Sequence, residues 1–271
     1  MSATNLAYKL NLNNTFTSIA NLPTVTFDAC TGSSLKYNNL LCSVGGTNGS
    51  TQLNQTSTYT PDSWTAQPNL ITRTQAAAAS MNFSFVHVFS GLGTGGMINS
   101  LQRFNGSWST STVIPINVLC GNSCNNSNKI FVTHGSTSTA GVAIDIVQSL
   151  NSAQAYTTEA SSGLAAQFGI GARINASIIK AAGSTNASDI PSAATSNSRQ
   201  YNGVTWSTVS SYPVLVSRLG SISKVINVLG VAGTNTSDVR TTSNFQYNSV
   251  AWSSAGSIGI SNRRMSGHGA S

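Results

Sequence analysis

"LLCSVGGTNGSTQLNQTSTYTPDSWTAQPNLITRTQ", residues 40–75, sets an apolar run, a glycine doublet, a polar loop, a tyrosine, a tryptophan and an arginine in that order. An apolar run of strand length that stops at glycines reads as a strand ending in a turn. The fold depends on whether this order recurs, and it does. Glycines close apolar runs at Gly46, Gly91 ("FVHVFSG"), Gly135 ("KIFVTHG"), Gly183 ("SIIKAAG") and Gly233 ("INVLGVAG"), at spacings of 45, 44, 48 and 50. Tryptophans follow at Trp64, Trp108, Trp206 and Trp252, and Tyr156 falls in the two-period gap between Trp108 and Trp206. Phe16 lies 48 residues before Trp64. A second ring precedes most of these anchors, at Tyr59, Phe104, Tyr201 and Tyr247, with Leu150 in that place ahead of Tyr156.

Six aromatic anchors and five glycine anchors recur at a near-constant period of 44–50 residues, and internal periods of about 20–50 residues indicate a solenoid, a propeller or an array. Each unit has room for four short strands. In residues 74–117 these read as "TQAAAASM", "FSFVHVFS", "NSLQRFN" and "SWSTSTV", separated by Gly, Asn and Ser turns. Four strands in about 45–50 residues is the size of a propeller blade. "VAIDIVQSLNSAQAY" is long enough for a helix but aligns with a strand position in the other units, so it is read as strand.

These residues resemble the kelch family, whose motif runs apolar strand, Gly-Gly, variable loop, Tyr, Trp, then a proline-containing loop and often Arg. Residues 40–73 match it closely; "VLGVAGTNTSDVRTTSNFQYNSVAW" and "IKAAGSTNASDIPSAATSNSRQYNGVTW" match with one glycine of the doublet replaced by Ala. The resemblance covers nearly the whole chain. It implies an all-β, kelch-like propeller of about six four-stranded blades, in units of roughly 1–25, 26–73, 74–117, 118–165, 166–218 and 219–264. The first unit has only two outer strands, "LAYKLNLN" and "TFTSIANLP"; either the terminal "NRRMSGHGAS" closes it with one inner strand, or closure is incomplete or supplied by another chain. In this motif the glycine turns the chain where a Cβ would clash. The Tyr and Trp are expected to pack on the next blade. The repeat lacks the Trp-Asp strand end of WD40 units and the full Asp-box of sialidases.

Composition agrees with an all-β chain. Charged residues are 7% of the 271, far below the usual ~25%, and Ser, Thr, Asn and Gly fill the difference. The net charge of +7 comes from basic residues scattered singly, adjacent only at Arg263-Arg264. Without a basic stripe no nucleic-acid partner is expected. No apolar run approaches a membrane span and "MSATNLAYKL" lacks a leader pattern, so membrane insertion is not expected. The four cysteines, Cys30, Cys42, Cys120 and Cys124, read as free thiols, with a Cys120–Cys124 loop disulfide as the alternative.

Few residues suggest chemistry. The acids Asp28, Asp62, Asp145, Glu159, Asp189 and Asp238 fall at differing repeat phases, so the sequence places no two together. Asp62 and Asp238 read as turn residues. His87 shares the strand face of Phe83, Phe85 and Phe89 and reads as packed; His134 and His268 offer no metal set, and no hydrolase, P-loop or dinucleotide motif occurs. No catalytic residue, metal or cofactor is therefore expected. Arg73, Arg218 and Arg264 follow the aromatic anchors by nine, twelve and twelve residues. Near one channel mouth they would bind carboxylate or phosphate, or else serve only to bond inter-blade carbonyls. The expectation is a non-enzymatic binding or structural propeller, first of all a bacteriophage virion protein of tail, fibre or capsid surface. It would be made in the host cytoplasm and contact other virion proteins, copies of itself, or a host receptor or glycan. The alternatives are an extracellular adhesion module and a divergent glycan-active enzyme.

Overall fold

The computed structural model describes residues 5–11, 15–26, 28–34, 40–60, 62–75, 77–82, 84–126, 128–133, 135–139, 142–186, 193–224 and 226–258. They form an all-β protein without an α-helix among them. The chain opens with a hairpin of β1 (Ala7–Leu10) and β2 (Phe16–Ile19). The first four-stranded sheet is β3 (Cys30–Ser34), β4 (Leu40–Val44), β5 (Thr56–Thr60) and β6 (Ser63–Gln67). The second has β7 (Ala78–Asn82) and β8 (Phe85–Phe89), then the small hairpin of β9 (Leu92–Gly93) and β10 (Gly96–Met97), then β11 (Ser100–Phe104) and β12 (Trp108–Val113). The third is β13 (Asn122–Asn125), β14 (Lys129–Thr133), β15 (Gln148–Asn151) and β16 (Tyr156–Thr158). The fourth is β17 (Ile170–Ile174), β18 (Ser177–Ala181), β19 (Ser198–Tyr201) and β20 (Trp206–Thr208). Beyond β21 (Val216–Ser217), the fifth contains β22 (Gly220–Ser223) and β23 (Val228–Val231). A loop with β24 (Gly233–Asn235) and β25 (Arg240–Thr241) leads to β26 (Asn244–Tyr247) and β27 (Trp252–Ala255).

The four-stranded sheets are antiparallel, with short turns joining the strands of each outer pair and longer loops joining the two middle strands, and β21, β24 and β25 form a separate three-stranded antiparallel sheet. The first strands of successive sheets, β3, β7, β13, β17 and β22, pack side by side in chain order. Five separate four-stranded sheets so arranged are consistent with a β-propeller, and the described residues contain no closed sheet. "VAIDIVQSLNSAQAY" is strand only at β15 and at the tyrosine that begins β16. The terminal "NRRMSGHGAS", expected to close the ring, lies outside the described residues.

The core lies between sheets. Val44, Leu70, Val86, Val88 and Phe104 pack in one cluster with Trp108 against it, and Phe89, Leu101, Ile114, Ile130, Val132 and Leu150 pack in the next. Burying one such side chain is worth about 1.5–3 kcal/mol. Tyr201 and Trp206 pack on Cys124, Phe131 and Val147 of the third sheet, and Tyr247 and Trp252 on Ile174 and Tyr212 of the fourth unit. The aromatic anchors thus face the preceding sheet, whereas the sequence reading had them on the following one. Which side a strand face meets depends on sheet twist, which residue spacing does not encode.

The anchors also bond backward. The indole N–H of Trp108 donates to the carbonyl of Pro68 (2.9 Å), that of Trp206 to Ala160 (2.9 Å), and that of Trp252 to Ser210 (3.1 Å). Each acceptor lies four residues beyond an anchor: the preceding one for Trp206 and Trp252, and Trp64 for Trp108. Trp64 donates to Ala20, four beyond Phe16 (2.8 Å). Tyr8, Leu10 and Phe16 pack on Leu229 and Val231 of the fifth sheet. The two-stranded unit therefore touches both the fifth sheet and, through Ala20, the first. Its register Leu10↔Phe16 repeats the pairing Tyr59↔Trp64, Phe104↔Trp108, Leu150↔Tyr156, Tyr201↔Trp206 and Tyr247↔Trp252.

All five loop glycines have left-handed or still more positive φ, from 96° at Gly46 to 124° at Gly233. Gly183 shows why. Its N–H donates to Val216 on the link leaving its own sheet, while a Cβ would stand 2.6 Å from the Gln167 carbonyl on the link entering it. The N–H groups of Gly46, Gly91 and Gly135 reach Thr74, Val118 and Ala166 in the same way. The residue before the glycine is also left-handed: Gly45 at 64°, Ser90 at 54°, Ala182 at 55° and Ala232 at 51°.

Candidate functional site

The three arginines are not one set. Arg73 is exposed on the link between β6 and β7. Arg218 is buried, has a φ of 59°, and donates from a guanidinium nitrogen to Asp238 Oδ1 at 2.9 Å. Asp28, Cys120, Phe168 and Arg218 all lie twelve residues past an anchor, and all have φ between 54° and 59°. Phe168 N–H donates to Cys120, and Leu219 N–H to Phe168, so successive links are tied near the inner strands. Arg218 belongs to this chain of contacts and Arg73, at offset nine, does not. Arg264, His134, His268 and Asp189 lie outside the described residues. Asp238, expected to be a solvated turn residue, sits in a turn with its side chain half exposed, and it also accepts from Arg218.

His87 is buried on β8 between Phe85 and Phe89, stacked on the latter at 6.0 Å between ring centroids. Burial pushes its pKa down to about 4, which keeps the ring neutral. All four cysteines are free and buried, and burial raises the Cys30 thiol to about 12, far from the reactive range. Among the described residues no three His, Cys, Asp or Glu side chains gather as a metal site.

Charge is concentrated instead where the third sheet meets the fourth. The link after β16, residues 159–162, runs beside residues 145–147: Glu159 N–H donates to Val147 and Ser162 N–H to Asp145. This pairing sets two acids on neighbouring segments, which their spacing of 14 in the sequence did not reveal. Glu159 accepts from Lys129 Nζ at 2.6 Å, from Ser149 Oγ at 2.5 Å and from the Tyr201 hydroxyl at 3.0 Å. Burial alone would raise its pKa, but these bonds and the lysine charge hold it below the ordinary value. Tyr201 belongs to β19, so the carboxylate joins the two sheets.

At the same junction Lys180 of β18 is wholly buried and donates from Nζ to Ser162 Oγ at 2.8 Å. The Asp145 carboxylate accepts from Ser161 Oγ. Burial lowers the amine to about 7, with Asp145 opposing the shift and Arg199 adding to it. A weakly basic amine beside a serine hydroxyl has the composition of a base–nucleophile pair. Yet Ser162 and Lys180 are 3% and 0% exposed, so no substrate reaches them in this arrangement. The one sequence signal for this cluster was that "SIIKAAG" alone among the glycine-closed runs carries a charge three residues before its glycine.

The outer turns are self-satisfied. Asn202 Oδ1 accepts from the N–H groups of Val204 and Thr205, and Asn248 Oδ1 from those of Val250 and Ala251. These turns hold Val204 and Val250 74% and 76% exposed on neighbouring sheets. Val142, Ile226 and Val239 are also exposed on loops.

No protein-family model matches the chain, and no curated protein matches it. Among solved structures it is similar to that of YjhT, with a TM-score of 0.76 over 93% of this chain and 91% of the other, at 14% identity. At that identity the likeness is one of fold.

Proposed function

We propose that the chain is a six-unit, kelch-like β-propeller that serves as a non-enzymatic binding and structural module. The sixth unit is the β1–β2 hairpin, set between the fifth sheet and the first by the contacts of Phe16 and Trp64. The observation that carries the functional reading is the pair of rigid Asn-capped turns that hold Val204 and Val250 bare to solvent. An apolar side chain fixed at low entropic cost on a preformed turn is suited to docking against another protein. Glu159 is committed to Lys129, Ser149 and Tyr201, which leaves it unsuited to acid–base chemistry on a substrate. Such a sparsely charged, Ser/Thr/Asn-rich body fits the outer surface of a particle, and the setting we assign is a virion, with other virion proteins or a host receptor as partners.

The test is mass photometry of the purified 28.0 kDa chain, alone and mixed with lysate-derived particles, beside the Val204→Asp/Val250→Asp variant. Recovery of the wild type, but not the variant, in a megadalton species supports the reading. A wild-type chain that stays free at its monomer mass, and that turns over a glycan panel, overturns it.

A further inference from the structure

Six residues past each anchor the link inserts one side chain against the next sheet. It meets the residue three before that sheet's loop glycine. The pairs are Leu70 with Val88 and Ile114 with Val132, each within one apolar cluster, and Tyr212, whose hydroxyl donates to the carbonyl of Gly230 at 3.4 Å. The backbone is equally regular: the N–H groups of Leu70, Ile114, Ser162 and Tyr212 donate to Asn54, Asn99, Asp145 and Ser196. At the third-to-fourth junction the same two positions hold Ser162 and Lys180. The single hydrogen bond of Lys180 leaves two of an ammonium's three donors unmet in a buried site. Lys180 is the one charged residue at the position three before a loop glycine, and its partner Ser162 stands where Leu70, Ile114 and Tyr212 stand in the other links, a joint departure that marks a specialised place.

We propose that Lys180, Ser162 and Asp145 form a proton-operated latch across this junction, closed on the unprotonated amine and loosened when Lys180 takes up a proton. Asp145 favours the protonated form and Arg199, opposite Lys180 on β19, disfavours it. Glu159, on the same link, is committed to Lys129, Ser149 and Tyr201, and its own titration lies below 4.5. The sign follows from linkage. The closed amine sits at about 7 and the freed one at the ordinary 10.5, so opening binds a proton between those values. The opening equilibrium rises up to tenfold per unit as pH falls through that window, roughly a thousandfold in all, and levels off below 7. The latch thus tightens with alkalinity and is slack at neutral and acidic pH.

The experiment is amide exchange on the intact chain between pH 7.5 and 9.5, corrected for intrinsic base catalysis. Protection at Glu159 and Ser162 is expected to rise by nearly a hundredfold across that range, while Ile114 and Tyr212, at the same position of other links, stay level. The variant Ser162→Ile/Lys180→Val rebuilds the apolar pair of the preceding junction and is expected to flatten the dependence. Parallel curves at all four amides overturn the latch. If the variant does not fold, the 13Cε resonance of Lys180 in the wild type decides: titration near 7 supports the latch, and titration at 10.5 overturns it.

Discussion

Gly183 and Ala182 are neighbours in one turn, and they are expected to respond oppositely to exchange of a methyl group. Gly183 has a φ of 99°, and a Cβ there would lie 2.6 Å from the Gln167 carbonyl and 3.0 Å from the Gly169 backbone. All three contacts are backbone, so no side chain can swing aside. The conformation costs about 1–3 kcal/mol for a non-glycine residue, and the overpacking about 1–3 kcal/mol. The lower unfolded-state entropy of alanine returns about 0.4–1 kcal/mol. Gly183→Ala should therefore cost about 3 kcal/mol, more if the bond to Val216 is lost. Ala182, at 55°, already tolerates a Cβ. Ala182→Gly relieves about 1–2 kcal/mol of left-handed strain. It gives up a buried methyl worth about 0.8 kcal/mol and adds about 0.5–1 kcal/mol of chain entropy. The net should fall within about 1 kcal/mol of zero. Urea unfolding with a shared m-value reads both. Equal costs for the two variants, or a tolerated Gly183→Ala, would refute the account of the glycine wedged between successive links.

Trp206→Phe removes the indole bond to Ala160 and should cost about 1–3 kcal/mol in urea unfolding; a neutral result would mean the indole bond adds nothing. Tyr156 stands where the other four-stranded sheets have Trp, and its buried hydroxyl has no partner. Tyr156→Phe is accordingly expected to leave stability unchanged or to raise it by up to about 1 kcal/mol, read by the same unfolding curves. Glu159 contributes stability that is present above the ordinary carboxylate value and lost as pH falls through its lowered folded value. Melting temperatures of the wild type should therefore fall more steeply below pH 4.5 than those of Glu159→Gln, and parallel profiles would contradict the role given to its three bonds.

The aromatic and glycine spacings by themselves determined where the outer strand pairs and the glycine turns recur, though not the short β9, β10, β21, β24 and β25, because each marker answers a local requirement. A glycine is needed wherever φ exceeds about 90°, and a large ring wherever a short outer strand must bury area on a neighbour. That is why spacing alone puts Phe16 in phase with Trp64, and why even the weak Leu150–Tyr156 pair lies in the same register as the strong ones. Local pattern carried no information on which sheet a ring faces, since that follows from the sense of sheet twist. Nor could it reveal that Arg218 is buried against Asp238 while Arg73 is exposed: the two differ by three residues in offset, and only the folded link turns that difference into burial. The charged junction of the third and fourth sheets was decided wholly by tertiary structure. Asp145, Glu159, Ser162 and Lys180 are spread over 36 positions of the chain; the backbone pairing of loop and link that brings them together recurs at other junctions, and only the folded chain shows which side chains it gathers here.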